Sequence, residues 1–166
     1  MQSTVETLNQ ILAETKTKTI GLTAEEYFLN AEEENDGYAE KYGLLYTYDA
    51  ALKALPDGWR LPTDEEWILG AGHMPKDVSM NAGHVETGLT AVDAYSQTTG
   101  ACGGIDFWGN CWEWTISTDA EGQYIIKGGS WDSERDDCRS EKSDVVRSGD
   151  QGYANVGFRV VRTDLI

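Results

Sequence analysis

Near its N-terminus the chain places apolar residues three and four positions apart, which is the spacing of an amphipathic helix. Residues 3–6, Ser-Thr-Val-Glu, form a capping box, in which the hydroxyl and the carboxylate satisfy free amides of a first helical turn. The apolar pattern continues to Leu12 and ends near Thr15. It predicts a helical appendage within residues 1–20, which either packs on the domain or attaches it to a larger assembly.

Two further capping boxes predict helices before the middle of the chain. Residues 23–26 begin one, which ends at the Asn-Asp-Gly of residues 35–37, and residues 63–66 begin another. Between them, residues 43–48 have the composition of a strand. Residues 49–55 can form a short helix, which the Pro-Asp-Gly that follows would stop.

The second half of the chain is predicted to consist of loops and strands. Residues 70–104 are rich in Gly, Asn, His and Ser, and such a long irregular stretch in a compact domain is usually functional or organised by a metal. Residues 123–127 and 156–161 have strand patterns, and a polar segment lies between them at residues 131–155. Helices first and strands late indicate an α+β domain.

The charge of the chain limits its partners. With 13 basic and 29 acidic residues, its net charge is −16. Nucleic acid and anionic membrane surfaces are poor partners, because both require clustered Lys or Arg. The acidic surface either aids solubility or holds a divalent cation or a basic ligand. We find no signal-peptide pattern and no apolar run of membrane-spanning length, so we expect a soluble protein, cytoplasmic or virion-associated.

The cysteines indicate neither a disulfide framework nor a zinc site. There are three, Cys102, Cys111 and Cys138, and no two of them form a C-x-x-C pair. A lone buried cysteine is more often a small apolar residue than a nucleophile.

Three motifs follow one another in a specific order. Residues 58–67 have the sequence GWRLPTDEEW, residues 108–114 are WGNCWEW, and KGGSW at residues 127–131 leads to VGFR at residues 156–159. This set resembles the formylglycine-generating-enzyme and sulfatase-modifying family, whose fold is a variant of the C-type lectin fold. The resemblance covers about residues 40–162. It implies an α+β, loop-rich C-type-lectin-like domain, which we assign to residues 21–166.

The resemblance also bears on catalysis. Oxidases of the family bind copper through two cysteines after the G-G-S motif, and these positions fall on Ser133 and Cys138. A hydroxyl is a poor ligand for Cu(I), which prefers thiolate. We therefore expect no oxidase activity, although a divergent oxidase stays the alternative function.

The family's second motif wraps a calcium ion. The resemblance assigns side-chain ligands to Asp106 and Glu113 and backbone carbonyl ligands to Gly109 and Cys111. Residues 109, 111 and 113 alternate along an extended chain, and oxygen ligands suit a hard cation. A structural calcium ion is therefore expected. The alternative is that Glu113 caps a backbone amide and Asp106 lies in a turn.

The polar stretch after G-G-S-W is the candidate binding surface. Some variable proteins of diversity-generating retroelements share this architecture, and their fold displays randomised residues between G-G-S-W and G-F-R. The resemblance allows a place at the tip of a phage receptor-binding protein or of a cell-displayed protein. A mixture of Trp and Tyr with small polar residues on a rigid scaffold is typical of adaptable binding loops. We expect a non-enzymatic protein that binds a protein or glycan ligand, although an ordinary solvated loop and a structural role in an assembly are alternatives. The predicted face lies within residues 131–153, the display segment, and consists of Trp131, Asp132, Ser133, Glu134, Asp136, Asp137, Glu141, Ser143, Asp144, Val145, Ser148, Asp150 and Tyr153.

Overall fold

The structure, a computed structural model, describes residues 45–91 and 93–162. The capping boxes at residues 3–6 and 23–26, with the helices predicted after them, lie outside the described residues. The domain boundary at residue 20 lies outside them as well and stays a prediction.

Helix α1 extends over Tyr48–Lys53 and confirms the short helix predicted at residues 49–55. Thr47 is its N-cap: the backbone there is extended, and the hydroxyl accepts a hydrogen bond from the amide of Ala50 at 3.2 Å. The strand predicted at residues 43–48 is wrong in its described part, because Leu45–Thr47 belong to no strand and Tyr48 begins the helix. The residues that resemble a strand are the extended approach to this cap.

Helix α2, Asp64–Ala71, begins at the capping box predicted for residues 63–66. The hydroxyl of Thr63 accepts from the amide of Glu66, and the carboxylate of Glu66 accepts from the amide of Thr63. Trp67 and Ala71 point into the protein, whereas Leu69 is 77% exposed. In the described residues no helix is both long and apolar enough to cross a bilayer.

Within residues 45–91 and 93–162, four strands form the main sheet, in the order β4-β3-β2-β5, and a separate pair joins β1 to β6. In the main sheet β2 runs antiparallel to β3 and parallel to β5. The strands are β1 (Trp59–Arg60), β2 (Trp112–Thr118), β3 (Tyr124–Lys127), β4 (Val146–Arg147), β5 (Val156–Gly157) and β6 (Val161–Arg162).

Two strand assignments differ from the predicted pattern. Strand β3 was predicted, but the longest strand, β2, was not, because its first four residues are all buried and show no alternation between apolar and polar positions. The strand predicted at residues 156–161 is two strands, since β5 pairs with β2 and β6 pairs with β1. The chain crosses from one sheet to the other between them.

Among the described residues, the core consists of two aromatic clusters. One surrounds Tyr48, Trp112 and Trp114 beside the sheet. The other surrounds Trp67 and Trp108, and it includes four residues from the loops that follow α2 in the irregular stretch predicted at residues 70–104, namely Met74, Val78, Met80 and Ala82. These loops therefore contribute buried side chains to the core and do not lie wholly in solvent.

Candidate functional site

The display segment begins at a close contact between Gly129 and Cys138. Gly129 has φ of +76°, and a β-carbon there would lie 2.3 Å from Sγ of Cys138. Cys138 has no exposed surface, and its burial raises the pKa of the thiol to about 12. The thiol is therefore a packing group, in agreement with the interpretation of this cysteine as a small apolar residue.

Ser133, the position of the family's first cysteine, is also inside the protein. Its residue is 8% exposed, and its Oγ accepts a hydrogen bond from the amide of Ser130 at 3.0 Å. Its own amide donates to the carbonyl of Ser130. The prediction that Ser133 belongs to an exposed face is wrong, because its hydroxyl closes this turn.

Inward and outward residues nearly alternate along the first half of the display segment. Ser133, Cys138 and Ser140 are buried, while the residues on either side of each are exposed or half-buried. Of the predicted face, the exposed residues are Asp132, Glu134, Asp136, Glu141, Asp144 and Asp150. The half-buried ones are Trp131, Asp137, Ser143, Val145, Ser148 and Tyr153, of which Val145 and Tyr153 pack against the core beside the sheet.

A buried lysine holds the middle of the segment. Lys127, at the end of β3, has no exposed surface, and its ammonium group donates to the carbonyls of Ser140 and Lys142 and to the hydroxyl of Ser143. Burial lowers the pKa of Lys127 to about 8. Two of its three partners are main-chain carbonyls, so the contact does not depend on which side chains those residues carry.

An arginine makes the same kind of contact from within the segment. The guanidinium of Arg135 donates to the carbonyls of Val78 at 2.7 Å, Lys76 at 2.7 Å and Pro75 at 3.2 Å. It fastens the display segment to the loop that follows α2. For Arg135 every one of these acceptors is a main-chain oxygen.

The two ends of the segment are joined. Asn155, just after the segment, donates to both carboxylate oxygens of Asp132, at 3.1 and 3.3 Å, and Asp132 accepts from the hydroxyl of Ser130. The carbonyl of Trp131 accepts from the amide of His84, whose ring meets the indole edge to face at 5.5 Å. Asp132 is thus exposed but already engaged.

Ion pairs cover part of the exposed face. Arg139 contacts Asp136 at 2.8 Å, and the lysine at position 142 lies 3.4 Å from Asp137 and 3.3 Å from Asp144. Such exposed pairs contribute little to stability. The outward surface is therefore a mixed-charge surface in which acidic groups predominate.

The four residues expected to bind calcium lie along the turn before β2 and in its first residues. Asp106 has φ of +61°, and its carboxylate accepts from Thr98 and from Asn110. Burial raises the pKa of Asp106 to about 7. The amide of Gly109 donates to the carbonyl of Gly128, and a β-carbon at Gly109 would lie 2.4 Å from a main-chain oxygen.

The fourth residue, Glu113, already has a cationic partner. Both of its carboxylate oxygens accept from the guanidinium of Arg159, and one of them also accepts from the indole of Trp67 at 2.6 Å. This arrangement does not fit a calcium ion bound to Glu113, because both carboxylate oxygens already accept from a guanidinium, whose positive charge would repel a second cation beside them.

Sequence reasoning missed the three cations and the amide side chain that hold this site. Lys127 and Arg159 were letters of a motif without a function, and Arg135 and Asn155 were given none. For Lys127 a signal was available, since a charged residue closes the apolar strand pattern of residues 124–127. The partner of Arg159 could not be inferred, because Glu113 lies 46 residues away along the chain.

The sheet, its irregular loops and the G-G-S turn define an α+β domain of the C-type-lectin type. A family model for the sulfatase-modifying factor enzyme 1-like domain matches residues 31–164, and the chain belongs to this family. The fold is accordingly the formylglycine-generating-enzyme variant of the lectin fold.

Two solved structures have a similar fold. Treponema denticola variable protein 1 has 21% sequence identity and a TM-score of 0.51 over 61% of this chain and 46% of that one. The crystal structure of CarF has 21% identity and a TM-score of 0.50 over 81% of this chain and 61% of that one. The chain thus spans about half of the first structure and three fifths of the second. No curated protein matches it.

Proposed function

We propose that this chain is a non-catalytic binding protein whose display segment presents its outward side chains to a protein or glycan ligand. The observation that carries the proposal is how the segment is held. Lys127 and Arg135 contact main-chain carbonyls, and Ser133, Cys138 and Ser140 point inward. The outward side chains are therefore free to differ without loss of the fold. The similarity to a variable protein supports the same function.

The chemistry of the face narrows the ligand. The outward positions are mostly carboxylates, with Trp131 half-buried at one edge. Carboxylates accept hydrogen bonds and attract cations, so a ligand rich in donors, such as a basic protein surface or the hydroxyl groups of a glycan, complements them. The acidic character of the whole chain would repel acidic partners.

The positions of the copper ligands argue against the oxidase alternative. A copper oxidase of this family needs two thiols, and here a hydroxyl stands at Ser133. The remaining thiol, Cys138, packs against Gly129 and is held in its protonated form by burial. Aerobic incubation of the protein with copper and a C-x-P-x-R peptide should yield no formylglycine; product formation would overturn the proposal.

A pair of libraries tests the binding function directly. In the first, the outward residues Glu134, Arg139 and Glu141 are randomised; in the second, their inward neighbours Ser133, Cys138 and Ser140 are randomised. Both libraries are displayed on the surface of cells and treated with protease. We expect most members of the outward library to resist the protease and most members of the inward library to be digested. Equal losses in the two libraries would contradict the proposal. Folded outward variants are then selected against hen lysozyme, as a basic protein, and on a glycan array.

Diversification is a property of the gene and needs its own test. We propose that the segment is a target of a retroelement. The flanking DNA should then contain a near-identical repeat of the region encoding residues 131–159, differing at template adenines, together with a reverse transcriptase gene. Without them, the display segment would be a fixed binding surface.

A further inference from the structure

The pair formed by Glu113 and Arg159 has the geometry of a filled cation site. Nη2 of Arg159 lies 2.6 Å from one carboxylate oxygen, and Nε contacts the other, so the two planar groups meet side by side. Glu113 is buried, and the side chain of Arg159 is 21% exposed. A bidentate pair of this kind is stronger and more directional than a single contact.

Main-chain oxygens complete the surroundings of the guanidinium. Nη2 of Arg159 also donates to the carbonyls of Ile105 and Asp106, at 3.3 and 3.2 Å. These carbonyls lie beside the Asp106 side chain that the family resemblance assigns to calcium, but they are not the two carbonyls assigned to the ion, which belong to Gly109 and Cys111. One carboxylate and two carbonyl oxygens around a positive centre are ligands that a hard cation would also bind.

An aromatic ring covers one face of the same group. The guanidinium carbon of Arg159 lies 3.6 Å from the centre of the ring of Phe107. The ring stabilises the cation and excludes water on that side. A second, hydrated cation at the Glu113 carboxylate would have to displace both the guanidinium and this contact.

From these contacts we propose that Arg159, and not a calcium ion, balances the buried carboxylate of Glu113 in this chain, so that its lectin-type domain needs no metal at the turn before β2. Arg159 follows β5, and Glu113 lies in β2, so the pair also fixes the chain just after the display segment to the central strand. This inference rests on the contacts of Arg159 alone and does not depend on the proposed function.

Calcium titration of the wild-type protein is the first test. The protein is stripped with EGTA, dialysed, and heated with 5 mM CaCl₂, 5 mM MgCl₂ or EGTA while tryptophan fluorescence is followed. We expect the same Tm in all three. A higher Tm with calcium than with magnesium that disappears in Glu113→Gln would overturn the proposal.

The Arg159→Met variant is the second test, because it removes the cation from the carboxylate of Glu113. Leaving Glu113 buried without its cation should lower Tm by roughly 10 °C. Calcium, but not magnesium, should return several degrees, and the double variant Glu113→Gln/Arg159→Met should not respond. Arg147→Met is the matched control. Arg147 also lies over an aromatic ring, that of Tyr153, but its guanidinium donates to a main-chain carbonyl rather than to a buried carboxylate. It should not respond to calcium.

Each other outcome also decides the question. An Arg159→Met variant as stable as the wild type would show that Arg159 does not balance the charge of Glu113. A folded but less stable variant that ignores calcium would show that these oxygens form no cation site. Either result would overturn the proposal that Arg159 balances the charge of Glu113 in place of a metal ion. If Arg159→Met does not fold, Arg159→Lys, which keeps the charge, should fold and be insensitive to calcium, and a calcium-dependent Arg159→Lys would contradict the proposal.

Discussion

Gly129 lies where the display segment returns to the end of β3, and its replacement by alanine measures how tightly the two are packed. Its φ of +76° is a left-handed conformation, and a β-carbon would lie 2.3 Å from Sγ of Cys138 and 3.0 Å from its Cα and Cβ. Gly122 provides the matched control. Its φ is +81°, and a β-carbon there would have no neighbour within 4 Å.

The two substitutions share a backbone cost and differ in a steric one. A side chain in left-handed backbone costs ~1–2 kcal/mol, and the lower entropy of the unfolded chain offsets part of that, so Gly122→Ala should lose about 1 kcal/mol. Gly129→Ala adds overpacking of a buried contact, typically ~1–3 kcal/mol, so its total should be about 2–4 kcal/mol. Natural domains have ~5–15 kcal/mol of stability, and the variant should therefore still fold.

Urea unfolding followed by tryptophan fluorescence measures both losses. A double-mutant cycle with Cys138→Ala separates the steric part: removing Sγ relieves the closest contact, so the double variant should lose less than the sum of the single variants. Losses at Gly129 and Gly122 equal within ~0.5 kcal/mol, with additive energies in the cycle, would refute the close packing of Cys138 on this turn.

Three further predictions concern charge and burial. The pKa of Glu66 is lowered to about 2, chiefly by hydrogen bonds from a guanidinium. Its contribution to the free energy of unfolding is therefore present above pH 4.5 and is lost as pH falls through about 2. In urea unfolding, the difference of ~1 kcal/mol between wild type and Glu66→Gln should close over that range. Lys127→Met leaves buried carbonyls unsatisfied, so trypsin should cleave the display segment at least several-fold faster. Ser140→Ala deprives the buried indole of Trp108 of its acceptor and should cost ~1–3 kcal/mol, whereas the exposed neighbour Glu141→Ala should change stability by less than ~0.5 kcal/mol, both measured by thermal unfolding.

Local signals predicted those parts of the fold whose causes are local. The capping box at residues 63–66 predicted α2, and the apolar run at residues 123–127 predicted β3, because the stabilising partners are a few positions away. Strand β2 was missed, since it is buried throughout its first half and pairs with a strand far along the chain. Side-chain direction in the display segment was not predictable either. Ser133 is as polar as its neighbours, and it points inward because its hydroxyl accepts a hydrogen bond from the amide of Ser130 in the turn.

The cations inside this domain follow from its irregular backbone. Helices and strands satisfy their own carbonyls, but loops cannot, and a buried carbonyl without a donor is costly. Lys127, Arg135 and Arg159 each donate to two or more loop carbonyls, which apolar side chains could not do. A contact to a carbonyl is indifferent to the side chain of the residue that bears it. A scaffold fastened in this way keeps its shape while the outward residues change, which is what the proposed binding function requires.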